Sequence, residues 1–251
     1  MHFPAAKKVV DWASAGATDR GRIRPINQDA FLDRPDIGLW AVADGMGGHS
    51  FGERASTVVV ELLSQLPVPR FLGRSARHVK CLIAEANRRL VDEAEAGGEA
   101  IIGTTVVVLL AVGGSCALLW VGDSRIYRLQ DGQLRQLTTD HTEVQELVSA
   151  GRLSAADAEA HPYSGVLSRA VGAEDELRID RAVEPLHAGD RYLLCSDGLT
   201  KELDAQSIES LLGSGTPQES VRRLVDSACD AGGRDNVTAV VVDFRSCSAA
   251  G

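Results

Sequence analysis

Short apolar runs bounded by turn residues recur along this chain: Leu39–Ala43, Thr105–Val112, Ala117–Val121, Ile126–Leu129, Tyr192–Cys195 and Val237–Phe244. Their lengths and their wealth of Val, Ile and Leu predict buried strands. Gly113-Gly114 and Gln130-Asp131-Gly132 fit hairpin turns, so part of the pairing is antiparallel. Helical periodicity marks Gly52–Leu66 and Ser75–Ala96, the latter with Val79, Leu82, Ile83, Ala86 and Leu90 on one stripe. Thr216-Pro217-Gln218-Glu219 unites a capping box with proline at the first helical position. Val221, Leu224, Val225 and Ala228 then face one way. Ser154-Ala155-Ala156-Asp157 is a weaker start signal, for a short helix.

Strands, a helix pair, more strands, a polar excursion, then strand, helices and strand make an α+β pattern, not regular βαβ alternation. No repeat or linker divides the chain, which predicts one domain over residues 1–251 with a core from about 9 to 244. His141–Leu167, with Ser, Ala, Glu, Asp and Pro interleaved, is the least core-like stretch. It is expected outside the sheet as a flap, about 141–167, beside the functional site. Ala100–Gly122 is uncharged and long enough to span a bilayer. Gly113-Gly114-Ser115 interrupts it, and two buried strands joined by a tight turn explain it better.

The net charge of −9 over 251 residues argues against a nucleic-acid surface. The basic pairs Lys7-Lys8 and Arg88-Arg89 read as solvated faces. Five irregularly spaced cysteines, with no Cys-x-x-Cys pair, suit a reducing cytoplasm. Cys116 and Cys195 lie in apolar runs and read as small buried hydrophobes. Met1-His2-Phe3-Pro4 begins no apolar signal region, so cytoplasmic residence with no membrane partner is expected.

Four aspartates sit at turns beside these runs. Asp44 (Asp44-Gly45-Met46-Gly47-Gly48), Asp123 (Gly122-Asp123-Ser124-Arg125) and Asp197 (Ser196-Asp197-Gly198) each follow a predicted strand, and Asp235-Asn236 precedes another. Singly, each is also an ordinary turn. Together they place like charges at one rim, which calls for a cation, and hard divalent metals take oxygen ligands. Asp44, with a Gly45 carbonyl left accessible by a glycine backbone, could serve such an ion. Several carboxylates of this kind suit two cations about 3.5–4 Å apart that activate a shared water. Arg24, in Arg24-Pro25-Ile26-Asn27-Gln28-Asp29, offers a fork for phosphate oxygens, or simply a surface ion pair. Cys195 with Lys201 misses the Cys-x5-Arg loop of cysteine phosphatases, and no serine elbow, phosphate-cradling glycine loop or zinc motif occurs.

Arg24, Asn27-Gln28-Asp29, Asp44-Gly45-Met46-Gly47-Gly48-His49, Gly103-Thr104-Thr105, Gly122-Asp123-Ser124-Arg125, Ser196-Asp197-Gly198 and Asp235-Asn236-x-Thr238 occur in this order. This set resembles the metal-dependent PPM, or PP2C-type, serine/threonine protein phosphatases, the bacterial branch most closely, over about residues 18–243. The resemblance implies a four-layer αββα sandwich of two antiparallel sheets flanked by helix pairs. It implies two Mn²⁺ or Mg²⁺ ions, with a third, weaker site, and phosphoserine or phosphothreonine hydrolysis by water bridging the pair. Asp44 would bridge the ions, Asp197 and Asp235 complete the first, and the Gly45 carbonyl serve the second. Asp123 with Asp197 matches the third site, Arg24 would bind the phosphate, and Asp29 would orient the water. Ser124 and Arg125 would shape their turn. Partners implied are phosphorylated proteins, a serine/threonine kinase and its substrates among them, in signalling.

Two positions depart from the pattern. Gln28 stands where many relatives carry glutamate, which implies a weaker second site. Met46 stands where animal members carry histidine, so water, His49 or His141 would have to protonate the leaving oxygen. A non-catalytic binding module is the other class of reading, supported by Gln28 and opposed by the intact aspartates.

Overall fold

The computed structural model describes residues 10–47, 51–98, 101–154, 157–158 and 161–246. Lys7-Lys8, Gly48, His49, Ala155-Ala156 and Cys247 lie outside the described residues.

Antiparallel pairing builds both sheets. The first runs β1 (Val10–Asp19), β11 (Val237–Ser246), β10 (Arg191–Cys195), β7 (Arg125–Gln130), β8 (Gln133–Gln136). The second runs β2 (Asp29–Arg34), β3 (Leu39–Met46), β5 (Val106–Val112), β6 (Ser115–Val121), β9 (Asp180–Pro185). A short strand, β4 (Gly103–Thr104), extends β3. Helices α1 (Phe51–Ser64) and α2 (Leu72–Gly97) pack on the second sheet. Helices α5 (Ala205–Leu212) and α6 (Pro217–Ala231) pack on the first, after α3 (Glu143–Ser149) and the single turn α4 (Asp197–Thr200).

The alternation of side chains along a strand explains the layering. On β3, Leu39, Ala41 and Ala43 face α1 and α2, whereas Trp40 and Val42 face the other sheet. On β11, Val240, Val242 and Phe244 point between the sheets, whereas Val241 meets Leu224 and Val225 of α6. Three apolar layers therefore separate four structural ones, the αββα arrangement. Trp12, Trp40, Tyr192 and Phe244 meet edge to face in the middle layer, with centroids 5.4–6.2 Å apart. Phe244 is 1% exposed and touches the other three rings, so Phe244→Ala should cost about 3–5 kcal/mol in urea unfolding. A loss below about 1 kcal/mol would mean the two sheets do not depend on this cluster.

Strand ends moved by one to three residues from their expected bounds, and five strands (β1, β2, β4, β8 and β9) gave no apolar run to read. β1 is rich in Ala, Ser and Gly yet pairs with β11 along its whole length, and β8 and β9 are edge strands with polar faces. Gly113 takes φ 64° in the β5–β6 turn, so the uncharged stretch is a hairpin. Among the described residues no helix is long and apolar enough to cross a membrane. Arg88 and Arg89 pair with Glu85 on a solvated face of α2.

Candidate metal and phosphate site

The aspartates meet at one rim of the sandwich. β3 and β6 run parallel to one another through β5, so Asp44 and Asp123 emerge on the same side. β10 ends beside the start of β11, which brings Asp197 to Asp235. Asp29 opposes Asp44 in the β2–β3 register. Arg24, Gln28, Asp44, Met46, Asp123, Asp197, Lys201 and Asp235 line a cleft of about 570 Å³, whereas Asp29, with its Oδ1 buried, does not line it.

Backbone clamps fix each acid. The Asp44 carbonyl accepts from Thr105 N and Thr104 Oγ1, both 2.9 Å, while Asp44 N donates to Thr105 Oγ1 at 3.1 Å. A side chain on Gly45 would overlap the Gly52 carbonyl oxygen, so only glycine lets α1 start against this turn. Asp29 Oδ2 accepts from Ser196 Oγ at 2.8 Å, and Ser196 Oγ in turn accepts from Thr238 N at 3.0 Å. Ser124 Oγ meets Thr105 Oγ1 at 2.7 Å, and Arg125 forks onto Asp140, which braces the Asp123 turn.

Two residues matter more than their sequence context suggested. Asn236 Oδ1 accepts from Gln28 N, while its amide donates to the Arg20 and Ile26 carbonyls at 2.8 and 2.9 Å. It ties the Arg24 loop to the Asp235 turn. Lys201 Nζ lies 2.5 Å from Asp197 Oδ2 and 3.0 Å from Asp235 Oδ2. Its place one helical turn after Asp197 was the available signal. Arg24 also bears on Asp235, through Nε at 2.8 Å and Nη2 at 2.9 Å. Its fork is therefore shared with a carboxylate instead of standing free.

His141 corrects an expectation. It is buried at 4% exposure, stacks on Trp120, accepts from Gly122 N through Nδ1 and faces Asp180 and Arg169 through Nε2. Burial, then the Arg169 charge, lowers its pKa. It supports the Asp123 turn from behind and does not line the cleft. It also belongs to the sandwich, so the polar excursion leaves after it and returns through the Thr142–Leu167 bridge. Gly165 and Leu167 border the cleft.

Among the described residues, no three carboxylates, imidazoles or thiols already form an ion nest, and Lys201 and Arg24 pair with Asp197 and Asp235 instead. The electrostatics nonetheless ask for more positive charge. Asp29 Oδ1 and Asp197 Oδ1 are buried acceptors without partners. Burial, followed by repulsion from Asp29, Asp197, Asp123 and Asp235, lifts Asp44 well above the ordinary carboxylate range. Burial also raises Asp29 to about 6 and Asp123 to about 7. Asp235 resists its own partial burial and stays low because Arg24 and Lys201 hold it. An all-oxygen donor set with orphaned lone pairs and excess negative charge fits hard divalent cations.

The thiols are chemically quiet. Burial pushes Cys116 and Cys195 up to about 12, and Cys81 is the exposed free cysteine among the described residues. Iodoacetamide at mildly alkaline pH should label Cys81 in the native protein and spare Cys116 and Cys195, read by peptide mass spectrometry. Fast native labelling of Cys195 would revive a thiol nucleophile.

Comparison with known proteins gives this geometry its relatives. The sequence model of "Protein phosphatase 2C" matches residues 22–232. The chain is 38% identical over 235 residues to "Serine/threonine phosphatase stp" of Listeria monocytogenes, covering 90% of this chain and 93% of the relative. It is 37% identical to "Serine/threonine protein phosphatase PstP" of Mycobacterium tuberculosis, covering 91% of this chain but only 44% of that longer protein. A solved structure of the PstP catalytic domain "in complex with 2 Manganese ions" superposes with TM-score 0.83 at 35% identity, over 94% of this chain and 99% of that one. "PppA, a key regulatory component of T6SS in Pseudomonas aeruginosa", superposes with TM-score 0.88 at 38% identity, over the same shares. With the match spanning most of its length and every motif at the same rim, the chain belongs to the protein phosphatase 2C family.

Proposed function

We propose that this chain is a serine/threonine protein phosphatase that hydrolyses phosphoserine and phosphothreonine with the help of Mn²⁺ or Mg²⁺. The observation that carries the reading is a cleft lined by four aspartates, with two buried carboxylate oxygens, on Asp29 and Asp197, that lack partners. Asp44, Asp197, Asp235 and the Gly45 carbonyl would hold two ions, and Asp123 with Asp197 a third. When bound, such ions polarise phosphoryl oxygens and lower the pKa of water held between them.

The chain's own groups supply the rest. Arg24, half exposed at the rim, turns its planar fork from Asp235 toward the phosphoryl oxygens. Lys201, facing the same cleft, adds a second positive charge where negative charge builds. Asp29, held through Oδ2 by Ser196, keeps Oδ1 to orient the attacking water. Gln28 projects a neutral amide near the Gly47 carbonyl and adds no charge to the second site. His141 is engaged elsewhere, which leaves water or His49 to protonate the leaving serine oxygen. The segment at about 141–167 acts as a flap, on the strength of Gly165 and Leu167 at the cleft, within one catalytic domain. Phosphorylated proteins and the kinases that modify them are the partners, in cytoplasmic signalling.

The test is turnover of a phosphothreonine peptide in Mn²⁺, in Mg²⁺ and in chelator. Hydrolysis with either metal, absent in chelator, is expected. Metal-independent turnover would overturn the metal-dependent mechanism, and no turnover together with the absence of tight ion binding by calorimetry would favour the non-catalytic module.

A further inference from the structure

An acidic protein carries one strongly basic corner. Arg70, Arg74, Arg77 and Lys80 follow one another with no carboxylate between Glu61 and Glu85, in a chain of net charge −9. The fold adds Arg181 from edge strand β9 to this cluster. Phe71, Gly73, Arg74, Arg77 and Arg181 line a shallow cleft of about 580 Å³ between the start of α2 and β9.

Arg181 pairs in register with Leu119, whose side chain faces α1 and α2, so the guanidinium rises on the helical face of the sheet. Arg74 and Arg77 stand three residues apart on α2, on neighbouring positions of one helix face. Among the described residues none of these three guanidiniums has an ion pair or a side-chain hydrogen bond. Arg54, Arg88, Arg89, Arg191 and Arg234 all have carboxylate partners. Unpaired arginines gathered in one place repel one another, an arrangement that an anion relieves. Phe71 is 58% exposed and Val183, two residues along β9, is 65% exposed, giving the charged cleft an apolar margin. The backbone contributes as well: Phe71 caps α2 without a side-chain bond, and the space over Gly73 is open.

We propose that this corner is a docking surface for a carboxylate-rich segment of a partner polypeptide, bound apart from the phosphorylated residue. It rests on the phosphatase reading for its purpose, since it would tether a substrate or its kinase. None of the residues that line the corner lines the catalytic cleft, so the two surfaces are separate. A tether outside the cleft raises the local concentration of the phosphorylated residue without touching the chemistry. Charge complementarity selects the occupant. Several guanidiniums set around a cleft match several carboxylates along one extended segment, and the two exposed apolar side chains fit its intervening residues.

The test compares the wild type with the triple variant Arg74→Ala/Arg77→Ala/Arg181→Ala. The probe is a fluorescein-labelled glutamate-rich peptide without phosphate, followed by anisotropy. The wild type should bind it with an affinity that falls as salt rises, and the variant should lose about tenfold or more. p-Nitrophenyl phosphate turnover in Mn²⁺ and the melting curve should stay unchanged, which shows the variant folded. Equal peptide affinity in the two proteins, or none in the wild type, overturns the proposal. So does binding to phosphatidylglycerol vesicles that the variant loses while the peptide never binds, because the corner would then serve a lipid surface. Variant-sensitive peptide binding supports the surface even if the wild type is inert toward p-nitrophenyl phosphate, a result that would count against the catalytic reading alone.

Discussion

Asp44→Asn is expected to lower metal-dependent hydrolysis of a phosphothreonine peptide by about a thousandfold or more, the scale on which removal of one preorganised charge acts in an active site. Asp44 is central to the acidic group: its carboxyl feels Asp29, Asp197, Asp123 and Asp235 together. The amide keeps the shape and removes the charge that two ions would share. The Thr104 hydroxyl and the Thr105 N–H donate to the Asp44 main-chain carbonyl and not to its carboxylate, so the turn should survive. The substitution separates structure from chemistry for that reason. Relief of buried repulsion should leave the variant's metal-free melting temperature equal to or above the wild type's. Asp197→Asn is expected to match the loss of turnover, and it would also free Lys201 from its nearer partner. Full turnover in either variant with unchanged Mn²⁺ affinity would remove the acidic group from the mechanism. Normal turnover with reduced Mn²⁺ affinity would move the residue's role from catalysis to loading.

What the chain disclosed in advance followed from local periodicity and turn chemistry. Asp44, Asp123 and Asp197 could be placed at strand ends because each closes an apolar run, and the capping box at Thr216 marked α6 to within a residue. The three apolar layers were implicit in unbroken strands such as Val106–Ala111, buried on both faces. Long-range pairing was not legible. β1 carries Ala, Ser, Gly and Thr where a lone reading finds a loop, and it is a strand because β11 supplies its partner bonds from the other end of the chain. Asn236 looked like the neighbour of an acid, and its role appears only when Arg20, Ile26 and Gln28 fold against it. Lys201 was visible only as a failed cysteine-phosphatase match, since its meaning depends on Asp235 arriving from another strand. His141 misled in the opposite sense. A histidine in a polar stretch suggested access to substrate, whereas the fold buries it behind Gly122.

Mn²⁺ should raise the melting temperature by several degrees more at about pH 8 than at about pH 5. Burial lifts Asp29 to about 6 and Asp123 to about 7, against 3.8 for an ordinary aspartate, and Asp44 is also raised. A carboxyl with a raised native pKa holds its proton in the folded chain at a pH where the unfolded chain has lost it. Stability from these groups is thus fully present below about pH 4 and declines as pH climbs through about 6 and 7. Carboxylates with depressed values, such as Asp36, Glu85, Asp204 and Glu219, act in the opposite direction but are ionised in both states through most of this window, which leaves the lowered His141 as the group that opposes the three raised acids within it. In chelator, then, melting should fall between about pH 5 and pH 8. A divalent cation reverses the balance, because it binds the ionised acids and must displace their protons at the lower pH. Scanning calorimetry across that range, with chelator and with Mn²⁺, reads both arms. A metal-induced shift of equal size at the two ends would mean the cation binds somewhere other than these buried acids. A metal-free melting temperature that climbs toward pH 8 would mean their protons are not held in the fold.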